Sequence, residues 1–244
     1  MNKYLSILQL NIRRSLVKLL ALLATFAAGE LAWFAWRLSA DSQMSLYAAG
    51  KVFGTCYIIC MAAAALLLGW RSTKGSRPEY SLGLFAVGGR AQYIISLLYD
   101  LAAMLFAWAC QIMTLYAAIR IYMTSAGYTG GPQGAIVEIY SSSALSVILP
   151  LEQSKYWIIG AVCTAVFAMA AAHLELVRTR GGFPILPLFI ILITAITINT
   201  RVRAMSYSTD SVLLGFAVFW ALILVVLGLD SSGKSKKEKD DYGE

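Results

Sequence analysis

The sequence is poor in charge and in the side chains that most enzyme sites require. Only 14% of its 244 residues are charged, it has one histidine, and 59% of it is hydrophobic. Soluble domains carry about 25% charged residues, and a zinc site needs several ligands at set spacing. We therefore expect an integral membrane protein that is not itself an enzyme and has no metal site, cofactor or catalytic residue.

Phosphate-binding chemistry is missing as well. The stretch "PEYSLGLFAVGGR" has the Gly83 and Gly88 spacing of a phosphate loop, but Gly89 and Arg90 stand where that loop needs lysine and a hydroxyl residue. The lysine reaches the phosphates and the hydroxyl holds magnesium, so the loop cannot work without them. Nucleotide binding by this chain is therefore not expected.

Long apolar runs take the place of motifs. A helix of about 20 apolar residues crosses the hydrocarbon core of a bilayer. We predict an all-α polytopic protein whose residues 1–230 form one domain, while the lysine-rich and acidic tail 231–244 is disordered. The shorter apolar segment 134–150, which contains Glu138, is predicted to be interfacial or re-entrant. The predicted spans are 16–36, 46–70, 94–119, 156–177, 183–200 and 211–229.

The basic residues predict the orientation of these spans. With both termini cytoplasmic, the outer ends hold only six of the 20 basic residues, as the positive-inside rule requires. We expect a multi-pass protein of a bacterial-type plasma membrane, whose net charge of +7 attracts anionic lipid and not nucleic acid. Residues 2–14 are predicted to form an amphipathic helix in the inner interface. The outer basic residues are Arg37, Lys51, Arg120, Lys155, Arg201 and Arg203.

Small residues form ridges in two of the predicted spans. Gly50 and Gly54 are four residues apart in the second span, and Gly160, Thr164, Ala168 and Ala172 continue the same spacing in the fourth. Such ridges let helices approach closely in lipid. We expect packing within the chain, while contact with a second copy or a homologous partner stays open.

Five polar residues in apolar runs are candidates for a translocation path. Buried acids are costly in a membrane, and Glu30 lies farther into its span than the other two acids. Each acid could serve transport or could order the bundle through a buried pair. For the threonines, hydrogen bonds to carbonyls one turn back are the favoured interpretation. The candidates are Glu30, Asp100, Glu175, Thr194 and Thr197.

The segment between the second and third spans carries a resemblance to a known family. It reads "LFAVGGRAQYIISLLYD", with an apolar knob, a basic residue at Arg90, and Tyr93 opening the span. It is similar to the "Leu-Pro-Val-Ser-Arg" loop of type-2 permeases, the membrane subunits of ATP-binding-cassette exporters, although it lacks the proline. The layout of nearly the whole chain resembles that family.

The resemblance implies a cytoplasmic coupling helix that docks a separate ATP-binding subunit. It also implies a homodimer or a second permease subunit, and export of a peptide, drug or lipid-like substrate. A knob flanked by charges suits insertion into a groove on a partner. The docking residues implied are Leu84, Phe85, Val87, Arg90 and Glu79.

Two other classes stay open from the sequence. A substrate-binding membrane subunit of a vitamin importer would also be small and apolar, and it would dock its partner through a ridge such as the one that begins at Gly160. A membrane immunity or sensor protein that transports nothing is the other class, and nothing in the sequence excludes it.

Overall fold

Every regular element among the described residues of the computed structural model is a helix. These residues are 3–41, 46–71, 89–124, 133–135, 137–138, 142–150, 154–179, 182–203, 211 and 214–227. The predicted all-α class is confirmed for this part of the chain. The principal helices are α1 (Lys3–Ala40), α2 (Leu46–Gly69), α3 (Gly89–Met123), α4 (Ser143–Ile148), α5 (Ser154–Thr179), α6 (Ile185–Arg203) and α7 (Leu214–Leu227).

Five of the described helices are long and apolar enough to cross a membrane, namely α1, α2, α3, α5 and α6. They correspond to the first five predicted spans, with ends that differ by a few residues except in α1 and α3. Helix α7 is apolar but shorter than these five. The chain is therefore a helical membrane protein with five candidate spans, and the sixth span stays a prediction.

The beginnings of α1 and α3 differ most from the predicted spans. Helix α1 runs without a break from Lys3, so the structure does not confirm a separate amphipathic helix over residues 2–14. Helix α3 begins at Gly89, and Arg90 is therefore an exposed residue of its first turn. The rest of the predicted coupling helix, residues 78–88, lies outside the described residues, as does the tail 231–244.

Helix α2 lies at the centre of the bundle and packs against α1, α3, α4, α5 and α6. Its glycines permit this. A Cβ on Gly54 would lie 3.1 Å from Ala144 of α4 and 3.1 Å from Val202 of α6, and a Cβ on Gly50 would lie 3.1 Å from Leu145. The predicted packing role of this ridge within the chain is confirmed.

The ridge of α5 is also used inside the chain. A Cβ on Gly160 would lie 3.0 Å from the Trp108 ring of α3, and Thr164, Ala168 and Ala172 are each no more than 1% exposed. Close packing of small residues against a large ring holds α3 and α5 together. This ridge is therefore already covered by the chain's own helices.

The apolar segment that sequence analysis left as interfacial or re-entrant contains α4. Its residues Ala144 to Ile148 are buried against α2 and α6. Ser142 caps the helix by accepting a hydrogen bond from the Leu145 amide at 3.4 Å, and the Trp108 indole donates to the Ile148 carbonyl at 2.9 Å. The segment is thus fixed inside the bundle near the beginning of α2.

Candidate functional site

The most highly charged buried group in the described part of the chain lies where α2 ends. Arg71 follows α2 by two residues, and its guanidinium lies between Asp100 of α3 and Glu175 of α5. The side chains of Arg71 and Asp100 are 0% exposed, and that of Glu175 is 11% exposed. We call these three residues the Arg71 cluster.

The guanidinium uses both edges to hold the carboxylates. Its Nε donates to Glu175 Oε1 at 2.9 Å, and Nη2 donates to Glu175 Oε2. On the other edge, Nη1 donates to Asp100 Oδ1, while Nη2 also reaches Asp100 Oδ2 at 3.4 Å. Arginine suits this position because its planar fork matches two carboxylates, which a lysine ammonium does not. One cation thereby joins three helices.

The charge of Arg71 is fixed by its partners. Burial alone would lower the pKa of Arg71, but the facing carboxylates of Asp100 and Glu175 outweigh burial and raise that pKa above its ordinary value. The guanidinium therefore stays protonated at every physiological pH. The cluster itself holds one cation and two carboxylates, and Arg14 of α1 acts on Glu175 as a further positive charge.

A polar network extends the cluster to α1. The Arg71 guanidinium lies 5.3 Å from the centre of the Tyr99 ring, and the Tyr99 hydroxyl is 2.6 Å from Ser15 Oγ. Ser15 donates its single hydroxyl proton to the Asn11 carbonyl at 2.9 Å, which leaves Tyr99 as the donor to Ser15. Asn11 Nδ2 also donates to Ser96 Oγ at 3.3 Å. The beginning of α1 is thus tied to the beginning of α3.

Gly69 allows α2 and α5 to approach closely enough for the cluster to form. A Cβ on Gly69 would lie 2.9 Å from the Cβ of Leu174, a distance that real Cβ contacts essentially never show. Leu174 immediately precedes Glu175, and Gly69 precedes Arg71 by two residues. Close contact of the Gly69 backbone with the Leu174 side chain therefore brings the two charged side chains together.

The opposite end of α2 is held by another acid. Glu138 accepts a hydrogen bond from the Leu46 amide at 2.8 Å and one from the Tyr122 hydroxyl at 3.0 Å. A carboxylate at the first turn of a helix satisfies a free amide and complements the helix dipole. Glu138 thus joins the beginning of α2 to the end of α3, a role that sequence analysis did not assign.

The sequence-predicted acids fall into two groups. Asp100 and Glu175 meet through Arg71, whereas Glu30 lies apart from them among α1, α2 and α3. All three acids are buried, and Asp100 is the most fully buried at 0% exposed, against 4% for Glu30. Arg71 was missed because only its basic charge, and not its partners, can be read from the sequence.

The threonines of α6 do not join either group. Thr194 donates to the Ile190 carbonyl at 2.7 Å, and Thr197 donates to the Ile193 carbonyl at 2.8 Å. Each hydroxyl therefore satisfies itself one turn back in its own helix, as sequence analysis favoured. Four of the five predicted docking residues, Glu79, Leu84, Phe85 and Val87, lie outside the described residues, and Arg90 is exposed.

Within the described residues, no group of three or more histidine, cysteine, aspartate or glutamate side chains is arranged to hold a metal ion.

Comparisons of the chain with protein-family models, with curated proteins and with solved structures find no match.

Proposed function

We propose that the chain is the membrane-spanning permease subunit of an ATP-binding-cassette exporter and works with a separate ATP-binding subunit. The single observation that carries the proposal is the position of the Arg71 cluster. Arg71 begins the connection to α3, and its guanidinium is bound to Asp100 of α3 and Glu175 of α5. A partner that moves this connection would act directly on the ends of three helices.

The physical requirement of such a transporter is a contact that differs between two states. A ligand or partner can shift a conformational equilibrium only as far as it favours one state over the other. The Arg71 cluster is suited to this because ion pairs and hydrogen bonds in a packed interior have discrete arrangements. Docking at residues 78–90, followed by closure of the ATP-binding subunit, would favour one arrangement of α2, α3 and α5.

The remaining parts of the proposal follow the resemblance and the charge distribution. The chain lies in a bacterial-type plasma membrane with both termini and residues 72–88 in the cytoplasm. It acts as a homodimer or beside a second permease subunit, and its substrate is a peptide, a drug or a lipid-like molecule. The substrate-binding subunit of a vitamin importer is the weaker candidate, because the ridge at Gly160 that would dock its partner is packed against Trp108.

The docking role is tested by co-purification with a stand-alone ATP-binding-cassette subunit, which the proposal expects to be encoded beside this chain. Phe85→Asp places a charge on the apolar knob, and we expect it to lower recovery of the partner at least tenfold. The control is Phe183→Asp, since Phe183 is an aromatic residue that follows the end of α5 and is 89% exposed. The control should recover the partner like the wild type. Equal recovery with Phe85→Asp would refute the docking role.

A further inference from the structure

Glu30 is a buried acid that the Arg71 cluster does not account for. It lies in α1, is 4% exposed, and faces Cys56 and Cys60 of α2 and Gln111 of α3. Gln111 is 1% exposed. We call Glu30 and Gln111 the Glu30–Gln111 pair.

The polar atoms of this pair lack hydrogen bonds. Both carboxylate oxygens of Glu30, and both the Nε2 and the Oε1 of Gln111, have no hydrogen-bond partner among the described residues. The two side chains are close enough to influence each other, but they are not aligned for a hydrogen bond. No cation of the described chain acts on Glu30, in contrast to Asp100 and Glu175.

Buried polar atoms in this state are costly, and an uncompensated buried charge is more so. An ionised Glu30 can only accept hydrogen bonds, so it could use the Gln111 amide hydrogens but would leave Gln111 Oε1 unpaired. The titratable groups that face Glu30 from α2 are the Cys56 and Cys60 thiols, which are weak donors and carry no positive charge. The described neighbours therefore cannot neutralise a carboxylate here.

One added proton supplies the donor that Gln111 Oε1 lacks. A protonated carboxyl group has one O–H donor and one carbonyl acceptor, and a primary amide offers a matching N–H donor and carbonyl acceptor. The two groups can then exchange a pair of hydrogen bonds in a closed ring. No counter-ion is needed because both partners are neutral.

We propose that the Glu30–Gln111 pair is a buried proton-binding site, in which Glu30 takes up one proton and exchanges two hydrogen bonds with the Gln111 amide. The proton binds to a Glu30 carboxylate oxygen and is exchanged with water. The proposal goes beyond the proposed function and does not require the ATP-binding partner.

The direct test is infrared spectroscopy of the purified full chain in lipid nanodiscs at neutral pH. We expect a carbonyl-stretch band of a protonated carboxylic acid that shifts slowly on transfer to D₂O. Glu30→Gln should remove this band while keeping the folded yield within about twofold, because an amide can form the same ring with Gln111. Absence of the band from the wild type, or its persistence in Glu30→Gln, would overturn the proposal.

A matched control and a second variant keep the test decisive. Glu138→Gln removes a glutamate that already accepts hydrogen bonds from Leu46 and Tyr122, so the band should remain. Glu30→Asp keeps a carboxyl group with a shorter reach, so the band should move and not vanish. If Glu30→Gln does not fold, a moved band in Glu30→Asp supports the site, and an unmoved band refutes it.

Discussion

The Arg71 cluster and the Glu30–Gln111 pair bury carboxylates in the same bundle but stabilise them differently. The cluster places two carboxylates against one guanidinium, whereas the pair offers its single carboxylate only an amide. The difference arises from which acid a basic side chain can reach. Arg71 lies beyond the end of α2 and can extend back into the bundle, while the described residues around Glu30 supply no cation. A long basic side chain can pair with an acid that lies near a helix end more readily than with an acid that lies deep in a span.

Removing the cation of the Arg71 cluster should have the largest effect on stability. Arg71→Met leaves Asp100 and Glu175 buried without the guanidinium that they share, and we expect a loss of about 3–5 kcal/mol in the free energy of unfolding. Thermal unfolding in detergent and the yield of monodisperse protein measure this loss. The exposed Arg90→Met should change stability by less than about 0.5 kcal/mol.

Neutralising the carboxylates as well should recover part of that loss. The triple variant Arg71→Met, Asp100→Asn, Glu175→Gln contains no buried charge at this position, so it should be more stable than Arg71→Met alone. A triple variant as unstable as Arg71→Met would show that the ion pairs are not the source of the stability.

Gly69→Ala tests the close approach on which the Arg71 cluster depends. The added Cβ would lie 2.9 Å from the Leu174 Cβ, which cannot rotate away, so we expect a loss of about 2–3 kcal/mol in the free energy of unfolding. The control is Gly29→Ala, because a Cβ there meets nothing within 4 Å. This control should be neutral or stabilising by up to about 1 kcal/mol, since alanine favours a helix over glycine. Equal effects of the two substitutions would contradict the packing argument.

Gln111→Leu tests the other member of the comparison. It removes the amide while filling similar space, and we expect a loss of about 2 kcal/mol because Glu30 is left without a hydrogen-bonding partner. The measurement is thermal unfolding of the single variant beside the double variant Glu30→Leu, Gln111→Leu. The double variant should be more stable than Gln111→Leu, and a less stable double variant would argue against any pairing of the two side chains.

The smallest expected effect concerns the network between the Arg71 cluster and α1. Tyr99→Phe keeps the ring beneath the Arg71 guanidinium but removes the hydroxyl that donates to Ser15. We expect a loss of about 1 kcal/mol in the free energy of unfolding. Ser15→Ala in the Tyr99→Phe background should add less than it does alone, which a double-mutant cycle measures. If the effects of Tyr99→Phe and Ser15→Ala on the free energy of unfolding were fully additive, the two side chains would not be coupled, and the hydrogen bond between them would be contradicted.

Much of the fold could be predicted from the sequence because apolar runs and small-residue spacing are local signals. The five candidate spans lie where hydropathy indicates them, and the glycines of α2 and α5 pack as their spacing suggests. Helix α3 begins before residue 94, the predicted beginning of the third span, because hydropathy marks where an apolar run begins and not where a helix begins.

The candidate site could be predicted only in part. Asp100 and Glu175 could be predicted as candidates because acids in apolar runs need partners. Arg71 could not be predicted as their shared partner, since the pairing depends on the rotation of three helices and on the contact that Gly69 permits. Arg71 is 29 residues from Asp100 and 104 residues from Glu175, so no local sequence pattern indicates these contacts.

The order of synthesis gives the Arg71 cluster a consequence for membrane insertion. Arg71 is made 29 residues before Asp100 and 104 residues before Glu175. While the chain is emerging, Arg71 is therefore a positive charge at the end of an apolar segment and has neither of its carboxylate partners, and basic residues beside such a segment bias its orientation in the bilayer. The same side chain later loses its water to two carboxylates. One residue can thus first orient α2 in the bilayer and then hold the finished bundle together.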